Sequence, residues 1–375
     1  MKTPWAALAL CIALALPVQA AEPKSALLME ISTGTILYES NAHEALAPAS
    51  VTKVMTLLLI MEAIDAGRIG WNDPVTASEA AAAKGGSQVY LKVGETMTVS
   101  DMVKSIAVSS ANDCACAMAE FLAGSEGAFV EQMNARAKEL GMNDTHFVNC
   151  TGLDDDPAAK DHKTSAHDIA IMSRELLMKH PDIKNFTTIW MDTIRDGAFG
   201  LSNTNKMVRY YPGCTGLKTG FTSSAGYCLS ASAMRDGMEL IAVVMGAESS
   251  PDRFAACKEM LDQGFAAYAL YEPVVQEGAS VAVELGRQAS VRAVPGGSPK
   301  LLVEKAKLGS ITTDITLDPQ VAAPVAAGQR LGEMTIRAGE EILAGIDLVA
   351  AEEVPRLTWG EVTVQILKRV AMSAG

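Results

Sequence analysis

The spacing of apolar residues changes period along the chain, and each change marks an element. The mainly apolar runs Ala26–Ile31 and Thr35–Tyr38 flank Ser32-Thr33-Gly34, which predicts a β-hairpin. From Ser50 to Ala66 the apolar positions Val54, Met55, Leu57 to Met61 and Ile64 cover nearly every face, with Gly67 as a stop. That pattern predicts a helix buried on all sides. Amphipathic helices follow near residues 101–108, 113–122, 126–140 and 165–179, several bounded by Ser, Asp or Gly. Strand patterning returns at 210–222, 226–233 and 240–246, and a helix is predicted from about Pro251 to Tyr271. Strands, inserted helices and strands again describe a sheet flanked by helices. Beyond Pro273, short Val-rich runs at 281–283, 290–294, 301–303, 311–317 and 334–336 are punctuated by Gly and Pro, which reads as a small all-β domain.

The two ends differ from this body. Lys2 precedes an apolar run from Trp5 to Leu16 that closes on Pro17-Val18-Gln19-Ala20. The run is shorter than the roughly 20 residues of a spanning helix and ends in small residues, so a secretory signal cleaved after Ala20 is expected, with a retained N-terminal anchor as the alternative. At the other end, Trp359, Val362, Ile366, Leu367 and Val370 share one stripe of a helix over residues 356–375, and Arg356, Lys368 and Arg369 outnumber Glu361. Such a helix suits the surface of an anionic membrane; the competing reading docks it on the β domain. The expected division is a signal at 1–20, a first domain at 21–272, a β-rich domain at 273–355 and the tail.

Composition narrows the function. A length of 375 residues, 49% apolar and 20% charged, fits two folded domains, and a formal charge of −13 with no basic run leaves nucleic acid without an attraction. Export would leave Cys114, Cys116, Cys150, Cys214, Cys228 and Cys257 in a compartment that permits disulfides. Cys114 and Cys116 point apart on a helix, and buried free thiols are favoured over one or two bridges. The five histidines form no pair with helical ligand spacing, and His43-Glu44 has alanine at position 47 where a zinc-protease motif needs histidine. Neither a metal nor a cofactor is expected.

Three short segments carry chemistry. Ser50-Val51-Thr52-Lys53 opens the buried helix, and residues three apart share a helix face. A serine hydroxyl needs a base, and a desolvated lysine can serve as one. The alternative is a capping serine with a solvated lysine. Ser110-Ala111-Asn112 lies at a break between two helices, where the serine could relay a proton and the asparagine could bind a peptide; the alternative is again a cap. Lys218-Thr219-Gly220-Phe221-Thr222 lies in a strand: Lys218 and Thr219 suit a carboxylate, and Gly220 would let a substrate backbone approach. Leu217 stands where a phosphate-binding loop needs glycine.

In this order the three segments resemble the penicillin-binding protein and serine β-lactamase superfamily, built on Ser-x-x-Lys, Ser-x-Asn and Lys-Thr-Gly. Their flanks, residues 47–56, 109–113 and 215–227, are similar to the low-molecular-mass D-alanyl-D-alanine carboxypeptidases, as are Leu91–Glu95, Asn143–Phe147 and Asn203–Lys206. The resemblance implies an α+β, β-lactamase/transpeptidase-like catalytic domain: an antiparallel sheet flanked by helices, with an all-helical subdomain, followed by the small β domain. It implies that Ser50 is acylated by the penultimate D-alanine of a peptidoglycan stem peptide, or by a β-lactam antibiotic, with Lys53 as base. Ser110 would pass the proton to the leaving amine and Asn112 would hold the acyl group. Lys218, Thr219 and Arg253 would bind the terminal carboxylate, and the amides of Ser50 and Phe221 would form the oxyanion hole. Several relatives carry histidine where this chain has Phe221, so no side-chain role is implied there. It further implies an exported enzyme held on the outer face of the cytoplasmic membrane by its C-terminal helix. A β-lactamase of the same fold and a catalytically silent wall-binding protein are the alternatives.

Overall fold

The computed structural model describes residues 22–275, 278–297 and 299–373, so the expected signal segment lies outside the described residues. The first hairpin forms as patterned, with strands β1 (Ser25–Glu30) and β2 (Ile36–Ser40). Five longer helices follow: α1 (Lys53–Asp65), α2 (Val99–Ser109), α3 (Asn112–Ala123), α4 (Glu126–Glu139) and α5 (Ala166–Lys179). Three long strands, β3 (Cys214–Thr222), β4 (Gly226–Arg235) and β5 (Met238–Ala247), then return to the first hairpin. The sheet order is β2-β1-β5-β4-β3, antiparallel throughout, with Leu27 opposite Val243 where the two ends of the region meet.

The sheet is covered on both faces, and its side chains alternate between two cores. Leu27, Met29, Ile241, Val243 and Met245 join the helical side, where α1 is packed. Ala26, Leu28, Leu240, Ala242 and Val244 face α6 (Ser250–Ala267). Ten of the thirteen residues of α1 are buried, as its all-round apolar pattern requires. Gly67 at φ +67° ends the helix, its neighbour Arg68 N–H donating back to Ala63 O.

Two sequence expectations need correction, and two short hairpins were not expected. The strand expected from Tyr210 begins at Cys214, because Met207–Tyr210 makes a helical turn and Pro212-Gly213 breaks the chain. The helix expected to run to Tyr271 stops at Ala267; residues Tyr268–Tyr271 form strand β6, antiparallel to Leu301–Glu304 of the following region. The hairpins Pro74–Thr76 with Thr96–Thr98 and Met191–Ile194 with Phe199–Ser202 are too short to register as periodic runs.

After residue 275 the chain forms a six-stranded sheet in the order 311–317, 330–338, 341–350, 290–295, 280–284 and 320–322. Its own core contains Val281, Val291, Leu331, Met334, Ile336 and Leu348. The last helix, α7 (Trp359–Ser373), leaves Trp359, Val364, Ile366 and Leu367 exposed. Among the described residues no helix is long and apolar enough to cross a membrane. The six cysteines of the described residues are free thiols, five of them buried.

Candidate active site

Ser50 lies in a single 3-10 turn, Ala49–Thr52, that runs straight into α1. Ala49 is held at φ +48°, a left-handed conformation costing a non-glycine residue on the order of 1–3 kcal/mol unless its surroundings enforce it. A hydrogen-bond relay enforces it here. Val148 N–H donates to His162 Nδ1 at 3.0 Å, which assigns the ring proton to Nε2; Nε2 lies 2.8 Å from Thr52 Oγ1, and Thr52 Oγ1 donates to Ala49 O at 2.8 Å. Burial keeps this imidazole neutral, with its pKa lowered to about 4.

Two glycines let neighbouring segments close on the same turn. A Cβ at Gly152, which has φ +80°, would lie 1.8 Å from Ala49 O. A Cβ at Gly220 would lie 2.7 Å from Pro48 O and 3.1 Å from Ser50 N. The absence of a Cβ at Gly220 thus admits the turn that carries Ser50, a close approach by the chain itself that the sequence reading did not include. The contact brings edge strand β3, and with it Lys218 to Phe221, against Ser50.

Lys53 is fully buried, with Nζ 3.0 Å from Ser50 Oγ and donating to Thr151 O at 2.7 Å. Burial pushes its pKa down to about 7, against the opposing influence of Cys150 and Asp113. Lys218 is also buried, and its Nζ donates to Thr219 O at 2.8 Å. Desolvation, followed by the charges of Lys53 and Arg253, holds its pKa well below the ordinary lysine range. The solvated-lysine reading of Ser50-x-x-Lys53 therefore fails.

Neither Ser110 nor Asn112 caps the following helix with its side chain. Ser110 ends α2 in the left-handed region at φ +61°, and α3 starts at Asn112 without a side-chain cap. Asn112 Nδ2 donates to Gly85 O at 2.8 Å and its N–H to Ser87 O at 2.7 Å. This ties the 85–91 loop to the start of α3, where Asp113 also accepts from Val89 and Leu91 N–H. Buried side-chain polar atoms without a partner among the described residues include Ser110 Oγ, Asn112 Oδ1 and Arg253 Nε. A buried polar atom left unpaired costs about 1–3 kcal/mol, so each of the three is a place where a bound ligand would supply the missing partner.

The remaining positions frame the cleft. Thr219 Oγ1 donates to Thr204 Oγ1 at 2.6 Å, which ties β3 to the 203–206 loop. Phe221 is half exposed and stacks on Tyr227, ring centroids 4.2 Å apart. Arg253, in the first turn of α6, donates from Nη1 to Gly220 O at 2.8 Å and to Cys228 O at 3.3 Å. One of these hydrogen bonds braces β3 and the other β4, a role the sequence did not suggest. His162, Thr151, Thr204 and Gly152 were missed as well, because only tertiary packing brings them to the three motifs.

Residues 14–249 match the D-alanyl-D-alanine carboxypeptidase family, Peptidase S11, and residues 271–356 match the C-terminal domain of penicillin-binding protein 5. The chain is 43% identical over 342 residues to the D-alanyl-D-alanine carboxypeptidase DacF of Bacillus subtilis, covering 89% of this chain and 86% of that one. To DacD of Escherichia coli it is 33% identical, covering 87% and 85%. Among solved structures, penicillin-binding protein 5 of Haemophilus influenzae superposes with a TM-score of 0.77 at 29% identity, over 91% of this chain and 99% of that one. Penicillin-binding protein D2 of Listeria monocytogenes, in an ampicillin-bound form, superposes with a TM-score of 0.59 at 32% identity, over 65% and 97%.

Proposed function

Because this chain belongs to the D-alanyl-D-alanine carboxypeptidase family and is a serine-type carboxypeptidase, we propose that Ser50, Lys53, Ser110, Asn112, Lys218, Thr219, Gly220, Phe221 and Arg253 divide its reaction as follows. Ser50 Oγ attacks the carbonyl carbon of the penultimate D-alanine, and neutral Lys53 takes the hydroxyl proton. The amide N–H groups of Ser50 and Phe221 donate to the developing oxyanion. The C–N bond then breaks, and the proton passes through Ser110 to the departing D-alanine amine. Lys218 and Thr219 hold the terminal carboxylate, while Arg253 contributes positive charge and braces the strand that presents them. Asn112 binds the acyl chain through its free Oδ1. Water hydrolyses the ester and regenerates Ser50. Gly220 shapes the site by admitting the nucleophile turn.

The observation that carries this reading is a fully buried lysine, depressed to a pKa of about 7, 3.0 Å from the serine hydroxyl. A β-lactam presents the same acyl carbon and carboxylate, so penicillins acylate Ser50. A diacetyl-Lys-D-Ala-D-Ala peptide and a fluorescent penicillin separate the alternatives. D-alanine release with slow penicillin turnover is expected; rapid penicillin turnover without D-alanine release would make it a β-lactamase, and no labelling would make it a silent binder.

The family acts on the cell wall, outside the cytoplasm. The finer placement is our inference: residues 1–20 are removed on export, residues 21–272 catalyse, residues 273–355 form the β-rich domain, and residues 356–375 rest on the outer face of the cytoplasmic membrane. The 88% exposure of Trp359, with Ile366 and Leu367 also exposed, supports membrane contact over docking on the β domain. Deleting 356–375 is expected to release the protein from the membrane fraction; persistence there would refute the anchor.

A further inference from the structure

We propose that His43, Asp144 and His167 form a zinc site on the flank of the catalytic domain, outside the acylation machinery. No spacing along the chain links these residues, and the fold alone brings them together. His43 precedes the nucleophile turn, Asp144 follows α4, and His167 lies in the first turn of α5. One ligand atom from each lies within 4.8 Å of the others, the one such cluster of three or more His, Cys, Asp or Glu among the described residues. His43 Nδ1 and Asp144 Oδ2 are 2.8 Å apart, close to the edge of about 3.3 Å of a tetrahedron built on Zn–N and Zn–O bonds near 2.0 Å. The two imidazole rings stand 4.4 Å apart, centroid to centroid. Small side-chain rotations bring all three donors to one ion, with the His43 ring proton moving from Nδ1 to the exposed Nε2 by tautomerisation and water completing the coordination.

The surrounding groups are those a metal site uses. His167 Nδ1 lies 3.2 Å from Asp168 Oδ1, a buried carboxylate. Donation of Nδ1–H to that carboxylate leaves Nε2 with its lone pair, the arrangement that fixes metal-binding imidazoles. Asp168 is itself held: Oδ2 accepts from Asp144 N–H at 2.8 Å and Thr145 Oγ1 at 2.7 Å. Ser165 Oγ donates to Asp144 Oδ2 at 2.9 Å. The backbone is already joined, with His167 N–H donating to Ala42 O and Leu46 pairing with Thr164. The three ligands thus need little reorganisation. His43 is 63% exposed and gives the ion a route in, and Glu39 and Glu44 line the same hollow and draw cations to it. Two imidazoles and one carboxylate match zinc better than the hard calcium or magnesium ions. Bound zinc would pin the 41–49 segment, which leads into Ser50, to α5.

The test uses the purified protein stripped with EDTA. Zn2+ is titrated in competition with a chromophoric chelator, Co2+ supplies visible absorption, and Tm is followed with and without Zn2+. One equivalent of Zn2+ is expected to bind and raise Tm. His43→Gln and Asp144→Asn are each expected to weaken binding roughly tenfold or more, while His43→Gln keeps the wild-type rate of penicillin acylation. His180→Gln, which disrupts the separate His180–Asp65 pair, is expected to bind zinc as the wild type does. The proposal is overturned if the wild type shows no saturable binding, or if one-equivalent binding persists unchanged in both His43→Gln and His167→Gln.

Discussion

The catalytic sheet and the β-rich C-terminal sheet are made of similar strands but bury opposite things. Strand β5 is buried at nine of its ten positions because helices cover both faces, whereas strand Ile311–Leu317 alternates half-buried and exposed residues because one face meets water. Their charges differ in the same way. The first region encloses Lys53, Lys218 and Arg253. The second keeps its ion pairs outside, as in Arg330 with Asp347 and Lys307 with Glu341. Every unpartnered buried polar side-chain atom among the described residues falls in the first region, and three of the five belong to Ser110, Asn112 and Arg253. A fold tolerates such atoms where a ligand satisfies them, so the contrast separates a region shaped for chemistry from one shaped for stability.

The contrast breaks most readily at Lys53. Lys53→Met keeps the side chain's approximate volume and removes its base. Penicillin acylation is expected to slow by roughly 10²–10⁴-fold, the contribution of a positioned general base, with the circular dichroism spectrum unchanged. A loss of folded structure instead would make Lys53 a structural residue. Gly220→Ala comes next: its Cβ would press 2.7 Å from Pro48 O and displace β3 from Ser50. A loss on the order of 10²-fold in acylation rate is expected, since small displacements of reacting groups cost about that much.

A smaller effect is set by pH. Lys53 can take a proton only when neutral, so the acylation rate rises with pH and levels off above its pKa of about 7. Below that value each pH unit is expected to lower the rate roughly tenfold, the slope for loss of one proton. A stopped-flow profile flat between pH 5 and 8 would remove Lys53 as the base. The least effect on chemistry is expected from the other sheet. Ile336→Ala should cost that region about 2–5 kcal/mol, visible as an earlier denaturation step, while leaving the acylation rate as it was.

Much of this was legible beforehand, for identifiable reasons. The all-apolar run of α1 and the joint order of the three motifs are local signals, and the structure places Lys53 3.0 Å from Ser50 and packs Gly220, next to Lys218 and Thr219, against the Ser50 turn. What was illegible depends on distant partners. Gly220 is conspicuous as a glycine, but only packing shows that Pro48 and Ser50 press against it. His162 has no local signature because its partners, Thr52 and Val148, belong to other segments. Tyr268–Tyr271 continues the preceding helix in composition and becomes a strand only because Leu301–Glu304 lies beside it. The histidines near positions 43 and 167 show no ligand spacing along the chain, yet they meet in space.

Ser50 as the acylated residue is tested most directly by intact-mass and peptide-mass spectrometry after incubation with benzylpenicillin. One adduct is expected per chain, on the peptide containing Ser50, and none on Ser50→Ala. An adduct on another residue, or an unchanged adduct on Ser50→Ala, would contradict the assignment.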